Sequence, residues 1–501
     1  MTTSIIIAAL SLSAAFYLFV GFRQGKYTRR VADMLPTERG AGARIDTSGE
    51  FSTSTVATTV SLATVVMAFF ELAPYLGGWL LWTVITTSLG LLVVRLAAKA
   101  IWRKLECYEK HIPTLHEFLG NEYNAPSVAL AGAVCTSLGF LGAFAVELTV
   151  GSRFLASLIP GLPPWIVVVA LSLVVLIYTA IGGFRAVVET DRYQMFGIWF
   201  LLLALASFYT VTIIKGPGFA TAWSDVPQST WNFAWREGLW SFLIGIAVIN
   251  IPTFLADMSI FQRVSSMKDS SFVSTGLTRS IVSASFTWGS FAVLACLVPM
   301  IVTSSGEINP LIEILRKICE SPSIFSGIIL FVVVLGLYAA MLSTASTQLI
   351  SLSHTMYKDI FRQESDLSQN SEPKKSTHLW VPRALLAISA LLAILVVEVL
   401  SALEFSIADL VFAIYGSQLG LFPPMLLALT LRKQQLIRLG WPVIIAILLG
   451  FICGWGAAII GKVTGDFNLV FLAPAVSLAF SSVITIGALA INLLHTKAIN
   501  K

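Results

Sequence analysis

Thirteen apolar stretches alternate with short polar segments along this chain, at residues 3–20, 53–74, 78–97, 127–158, 164–183, 193–214, 238–260, 279–303, 323–353, 380–401, 405–430, 440–460 and 467–494. About 20 apolar residues in a helix cross the roughly 30 Å hydrocarbon core of a bilayer. A helix also satisfies its own backbone polar groups there, which an irregular chain cannot do. The pattern predicts an all-α polytopic membrane protein with little mass outside the bilayer. Composition agrees: 56% of residues are hydrophobic and 12% are charged, about half the charged share of a soluble domain.

The basic residues orient the spans. With the N-terminus outside, only Arg153, Lys215, Arg236, Arg316, Lys317 and Lys462 fall on the outer side, and the other 26 of the 32 Lys and Arg face inward. This positive-inside bias predicts an N-out, C-in chain with an odd number of spans, about 13. The first stretch has no basic residue before it, and Arg23, Lys26, Arg29 and Arg30 follow it. That charge order predicts an uncleaved anchor helix, not a signal peptide. The polar run from Gln363 to His378 predicts a solvated cytoplasmic loop. Cys107, Cys135, Cys296, Cys319 and Cys453 are odd in number and scattered, so they are read as small packing residues with no disulfide framework. The chain has no GxxxxGK[ST], HExxH or GxSxG sequence, so nothing points to an enzyme. The expected partners are the lipid bilayer and a small-molecule solute, with no nucleic acid, no obligate protein partner and no organic cofactor.

Two spans carry helix-breaking residues. The second holds Glu71 and Pro74 near its outer end; the seventh holds Gly245, Asn250, Pro252 and Asp257. Proline removes a backbone donor and frees carbonyls, which in lipid is tolerated only beside a cavity or against protein. The interrupted spans lie five helices apart, so they run in opposite directions. This is the arrangement of an inverted repeat with its site where the broken helices meet. Kinks of this kind are also ordinary in membrane helices.

The ninth span concentrates hydroxyls at Ser343, Thr344, Ser346 and Thr347. At about 100° per residue, Ser343, Ser346 and Thr347 share one face and Thr344 flanks it. Neutral hard oxygens suit a monovalent cation such as Na⁺. The alternative is that each hydroxyl bonds back to a carbonyl one turn earlier. From Tyr178 to Gln194 (YTAIGGFRAVVETDRYQ), Gly182-Gly183 is read as ending a helix and Thr190-Asp191 as opening the next, with Asp191 either a capping acid or a functional group. Asp257, Gln262 and Arg263 close the seventh span, with Asp257 and Arg263 placed to form a gate or a structural ion pair.

The stretch from Tyr178 to Gln194 resembles the signature of the sodium:solute symporter family, which includes sodium–glucose, sodium–proline and sodium–sialic acid transporters. The resemblance extends through Asp257, Gln262 and Arg263, the Ala339–Leu349 stretch with Lys358-Asp359-Ile360 after it, Ser406–Val411, Gly420–Pro424 and Ile112–Tyr123. It implies a LeuT-like five-plus-five inverted repeat working by alternating access. Residues 3–20 would be an extra leading helix, 53–214 the first repeat, 238–430 the second and 440–494 two trailing helices, in one transmembrane domain over 1–501.

Carried over, the main Na⁺ site comprises the carbonyls of Ala63, Val66 and Ala340 and the hydroxyls of Ser343 and Thr344. A further Na⁺ site in some members implies Asp191, Ser346 and Thr347. An ionisable residue inside a span normally faces a cavity or a partner, which makes Glu71 and Glu147 substrate-binding candidates alongside Thr64, Asn250, Tyr415 and Gln418. Lining the pocket, Glu147 would favour an amine or a polyhydroxylated solute over a plain carboxylate; alternatively it pairs with a neighbouring helix or with Arg153. The sequence reads as a Na⁺-driven symporter of a small polar organic solute in the bacterial inner membrane. The competing readings are an H⁺-coupled transporter using Glu71, Glu147 or Asp191, and a non-transporting membrane solute sensor.

Overall fold

A computed structural model of the chain describes residues 2–108, 110–159, 161–302, 308–321, 323–361, 378–402 and 407–499. Residues 363–377 of the expected loop and Ser406 lie outside the described residues.

The chain is almost wholly helical. It opens with α1 (Thr2–Gly25) and α2 (Ser48–Thr59), continues through a π-helical turn (Leu62–Met67) into α3 (Ala68–Leu76), and then forms α4 (Leu81–Leu105), α5 (Leu115–Glu122), α6 (Pro126–Leu158) and α7 (Pro164–Lys215). The later part comprises α8 (Leu239–Ala256), α9 (Met258–Ser265), α10 (Ser270–Cys296), α11 (Pro310–Glu320), α12 (Ile324–Thr355), α13 (Trp380–Ala402), α14 (Ile407–Ser417), α15 (Phe422–Thr430), α16 (Gly440–Thr464) and α17 (Phe467–Ile499). Among the described residues, 10 helical stretches are long and apolar enough to cross a membrane. Two of these stretches, Leu62–Leu105 and Pro164–Lys215, each contain two successive helices.

Helix α12 runs through the centre, with every residue from Gly336 to Thr355 buried. It packs against α6, α7 and α1. Large apolar side chains such as Leu96, Phe200, Leu395 and Val483 are exposed on the outside, as expected of a surface that meets lipid.

The second span breaks away from the residues expected to interrupt it, and the seventh breaks at Asp257, the last of the four residues named there, and not at Pro252. In the second span, Glu71 and Pro74 sit inside the continuous helix α3. The break comes earlier, at Val60 (φ −93°, ψ 74°) and the extended Ser61. There the Ser61 hydroxyl accepts the Thr64 N–H at 2.9 Å and restarts the helix. In the seventh span, α8 runs through Pro252 without interruption. The chain turns extended at Asp257 instead, whose carboxylate accepts the Ile260 N–H at 2.9 Å and starts α9. Proline deletes only one ladder bond, whereas a Ser or Asp side chain offers the backbone a competing partner and stabilises a non-helical residue outright.

The two limbs of α7 meet at Gly183, which has φ 64°. A Cβ there would lie 2.6 Å from the Met34 carbonyl oxygen and 2.7 Å from its Cα. Thr190 and Asp191 therefore lie within the second limb, and Asp191 is not a helix cap. Gly183→Ala combines a left-handed residue with a backbone clash and is expected to destabilise the protein by roughly 1–3 kcal/mol or more. A lower melting temperature of the detergent-purified variant checks this.

Candidate functional site

The breaks at Ser61 and Asp257 face one another across a cavity of about 130 Å³. Its polar lining comes from Thr58, Thr59, Ser61 and Thr64 on the first broken helix, Asn250, Thr253, Asp257 and Ser259 on the second, and Thr83 and Tyr415 beside them. Phe69 and Trp288 form an aromatic wall, with ring centroids 5.7 Å apart in a T-shaped pair. Asn250 donates to the Thr86 hydroxyl at 3.0 Å, and the Tyr415 hydroxyl accepts from Gln348 at 3.0 Å. Both polar wall groups are thereby fixed in orientation.

Of the six substrate candidates, Thr64, Asn250 and Tyr415 line this cavity. Glu147 lies behind Ser61, accepting its hydroxyl and facing the N–H groups of Leu62 and Ala63. Its partner is thus the neighbouring broken helix. Glu71 lies elsewhere, near Asp409. Gln418 packs against Gly139, and its amide bonds back to the Ile414 carbonyl at 3.4 Å.

Beside the cavity, the last turn of α2 meets α12. The Ser343 hydroxyl lies 2.9 Å from the carbonyls of both Ala57 and Ala340 and can donate to either. The Thr344 hydroxyl lies 3.4 Å from the carbonyls of Thr58 and Ala340. Five main-chain and side-chain oxygens are thus crowded together. The helix-one carbonyls expected here, those of Ala63 and Val66, lie beyond the break, and Ala63 accepts the Ala68 N–H. A helix leaves its last carbonyls unpaired, so the available oxygens are those before Val60. The hydroxyl-rich run STSTVATTVS at 52–61 was the available signal for both the break and the cavity wall.

A second buried cluster surrounds Arg263, which is 1% exposed. Its guanidinium donates to Asp191 at 3.2 Å, to the Thr347 hydroxyl at 2.8 Å, to the Ser54 hydroxyl at 2.8 Å and to the Ser259 carbonyl at 3.1 Å. Ser54 in turn donates to Asp191 at 2.5 Å. The ion pair of Arg263 is therefore with Asp191, while Asp257 caps α9. The Asp191 and Thr347 oxygens expected to hold a second Na⁺ contact this guanidinium, and Ser346 bonds back to the Ser343 carbonyl at 3.2 Å. Among the described residues, Asp191 Oδ1 and the Gln194 amide are buried without a hydrogen-bond partner. Gln262 bridges to α12, meeting His354 at 3.0 Å and accepting from Ser351 at 2.9 Å. Asp359, in the π-helical turn Met356–Ile360 after α12, accepts from Thr114 at 2.6 Å and meets His116 at 2.9 Å, which ties that turn to the start of α5.

Residues 55–435 match the sodium:solute symporter family. The chain belongs to that family. It is a membrane-embedded Na⁺-coupled solute symporter and not an enzyme. It is 25% identical to a sodium/pantothenate symporter of Haemophilus influenzae over 365 residues, covering 70% of this chain and 71% of that protein. It is 27% identical over 232 residues to the sodium/sialic acid symporter SiaT of Proteus mirabilis, covering 43% of this chain and 45% of that one. Among solved structures, a Na⁺-coupled sialic acid symporter in a substrate-bound outward-open state superposes with a TM-score of 0.72 at 20% identity, over 97% of this chain and 98% of that one. MhsT in complex with L-phenylalanine gives 0.52 at 14% identity, over 88% and 98%. The fold is that of LeuT-like transporters.

The buried Arg263 network predicts a non-additive response. Breaking a buried ion pair from one side leaves an uncompensated charge and is strongly destabilising, by about 3–5 kcal/mol. Arg263→Met is expected to lose that much, while Arg263→Met/Asp191→Leu recovers a large part. Thermal melts of the two variants in detergent make the comparison.

Proposed function

We propose that Na⁺ binds between α2 and α12, held by the Ala57 and Ala340 carbonyls, the Ser343 and Thr344 hydroxyls and a freed carbonyl of residues 58–60. A small polar organic solute binds in the adjoining cavity. The observation that carries this reading is that one stretch serves both places. Residues 57–61 turn carbonyls toward α12 and hydroxyls toward the cavity. An ion that fixes this stretch against α12 also fixes the hydroxyls that meet the solute, which is the differential contact that coupling requires.

Alternating access then follows from moving α2 and α8 relative to α12 about their breaks, within repeats over 53–214 and 238–430. The spans are read as N-out and C-in, numbering about 13, in a bacterial inner membrane. Each Na⁺ descending about 100 mV supplies roughly 2.3 kcal/mol, about 50-fold accumulation before the concentration term. We read Asp191, with Ser346 and Thr347, as a cation position that the Arg263 guanidinium serves in this conformation. On that reading one Na⁺ moves per cycle, and uptake into proteoliposomes is expected to depend on Na⁺ with a Hill coefficient of about 1. A coefficient near 2 would place a second ion at Asp191.

The ion site is tested by melting the purified protein in NaCl against equal KCl. Ligand at about 100 times its dissociation constant stabilises the native state by about 2.7 kcal/mol. A Na⁺-specific rise is expected for wild type and is expected to vanish in Ser343→Ala/Thr344→Ala. Equal melting in both salts, with a response to pH instead, would favour H⁺ coupling.

A further inference from the structure

The run that restarts at Leu62 continues to Leu76, and its first N–H groups form the positive end of a helix in mid-chain. Such ends in broken transporter helices point at anionic groups of the substrate. Here that position is already taken. The Glu147 carboxyl accepts the Ser61 hydroxyl and faces the Leu62 and Ala63 N–H groups, and it is 1% exposed. A side chain of the protein thus sits where a solute carboxylate would be received.

The cavity next to it has the opposite requirement. Among the described residues lining it there is no Lys, Arg or His, and the one charged side chain is Asp257. Arg263, the nearby buried cation, spends its donors on Asp191, Thr347, Ser54 and the Ser259 carbonyl. A carboxylate entering this space would approach the carboxyl groups of Asp257 and of Glu147 behind Ser61, with no Lys, Arg or His among the described lining residues to meet it. A cation would find Asp257 on one side and the faces and edges of Phe69 and Trp288 on another, a combination that favours ammonium groups.

We propose that the solute is a small organic cation, an ammonium or guanidinium head on an apolar body, and that Glu147 is the residue that excludes carboxylates. Asp257 receives the positive head. The aromatic pair and Ile246 and Ile249 cover the body. The proposal rests on the symport reading only in assigning this cavity to the transported solute.

The test is melting of the whole purified chain in NaCl and in KCl with probes matched in size. These are phenethylamine against 3-phenylpropionate, with pantothenate and sialic acid as further carboxylates. The amine is expected to raise the melting temperature of wild type in NaCl, and the carboxylates are expected to leave it unchanged. Asp257→Asn should weaken half-saturation by the amine by roughly tenfold or more. Glu147→Gln, which keeps an acceptor for Ser61, should let a carboxylate stabilise the protein. If Glu147→Gln does not fold, the Asp257→Asn comparison alone decides. Stabilisation of wild type by a carboxylate overturns the proposal. So does a protein that responds to Na⁺ but to none of a panel of alkyl- and arylammonium probes. An amine shift of equal size in NaCl and KCl keeps the solute class and sinks the Na⁺ coupling instead.

Discussion

Backbone polar groups in hydrocarbon must be paired, and the break at Val60 and Ser61 violates the helix that would pair them. Everything at the centre of this protein answers that violation. The carbonyls left at the end of α2 turn to Ser343 and Thr344 on α12. The Thr64 N–H in the next turn is met by the Ser61 hydroxyl, which in turn donates to Glu147 from α6. The proposed ion site and the proposed specificity residue thus flank the same interrupted peptide groups, one at each side of the break.

The second break, at Asp257, is satisfied differently. Its own side chain caps α9, and α9 carries Arg263 into a wholly buried network that joins α2, α7 and α12 through Ser54, Asp191 and Thr347. A buried guanidinium is tolerable only when its donors are matched. The four elements are therefore held in register around one cation that the chain supplies itself. The cavity sits between this network and the aromatic pair of Phe69 and Trp288, and Asp257 is the one acidic side chain among its described lining residues.

Much of this was legible in the residues. The apolar spacing predicted a polytopic helical protein, and the order of motifs from Ile112 to Pro424 predicted the sodium:solute symporter family and a LeuT-like fold. The hydroxyl cluster on α12 was visible because four Ser and Thr residues at 343–347 stand out in an apolar span, and Ala340, Ser343 and Thr344 lie beside the α2 carbonyls in the structure. The break at Ser61 was not, and Asp257 was named only as one of four residues that interrupt the seventh span. Pro74 and Pro252 drew attention as helix breakers, but each removes a single donor and both helices run on through them. Ser61 and Asp257 break the chain because their side chains offer the backbone another partner.

Local sequence therefore determined which segments are helical, that they lie in a membrane, and which span carries hard neutral oxygens, because those properties follow from hydrophobicity and residue type within a single helix. Tertiary structure alone decided which carbonyls face those oxygens, that Arg263 pairs with Asp191 and not with the nearer Asp257, and that Glu147 belongs to the break and not to the cavity wall. Each of these depends on the distance between helices that are far apart in sequence, and no periodicity along one helix encodes its rotation against another.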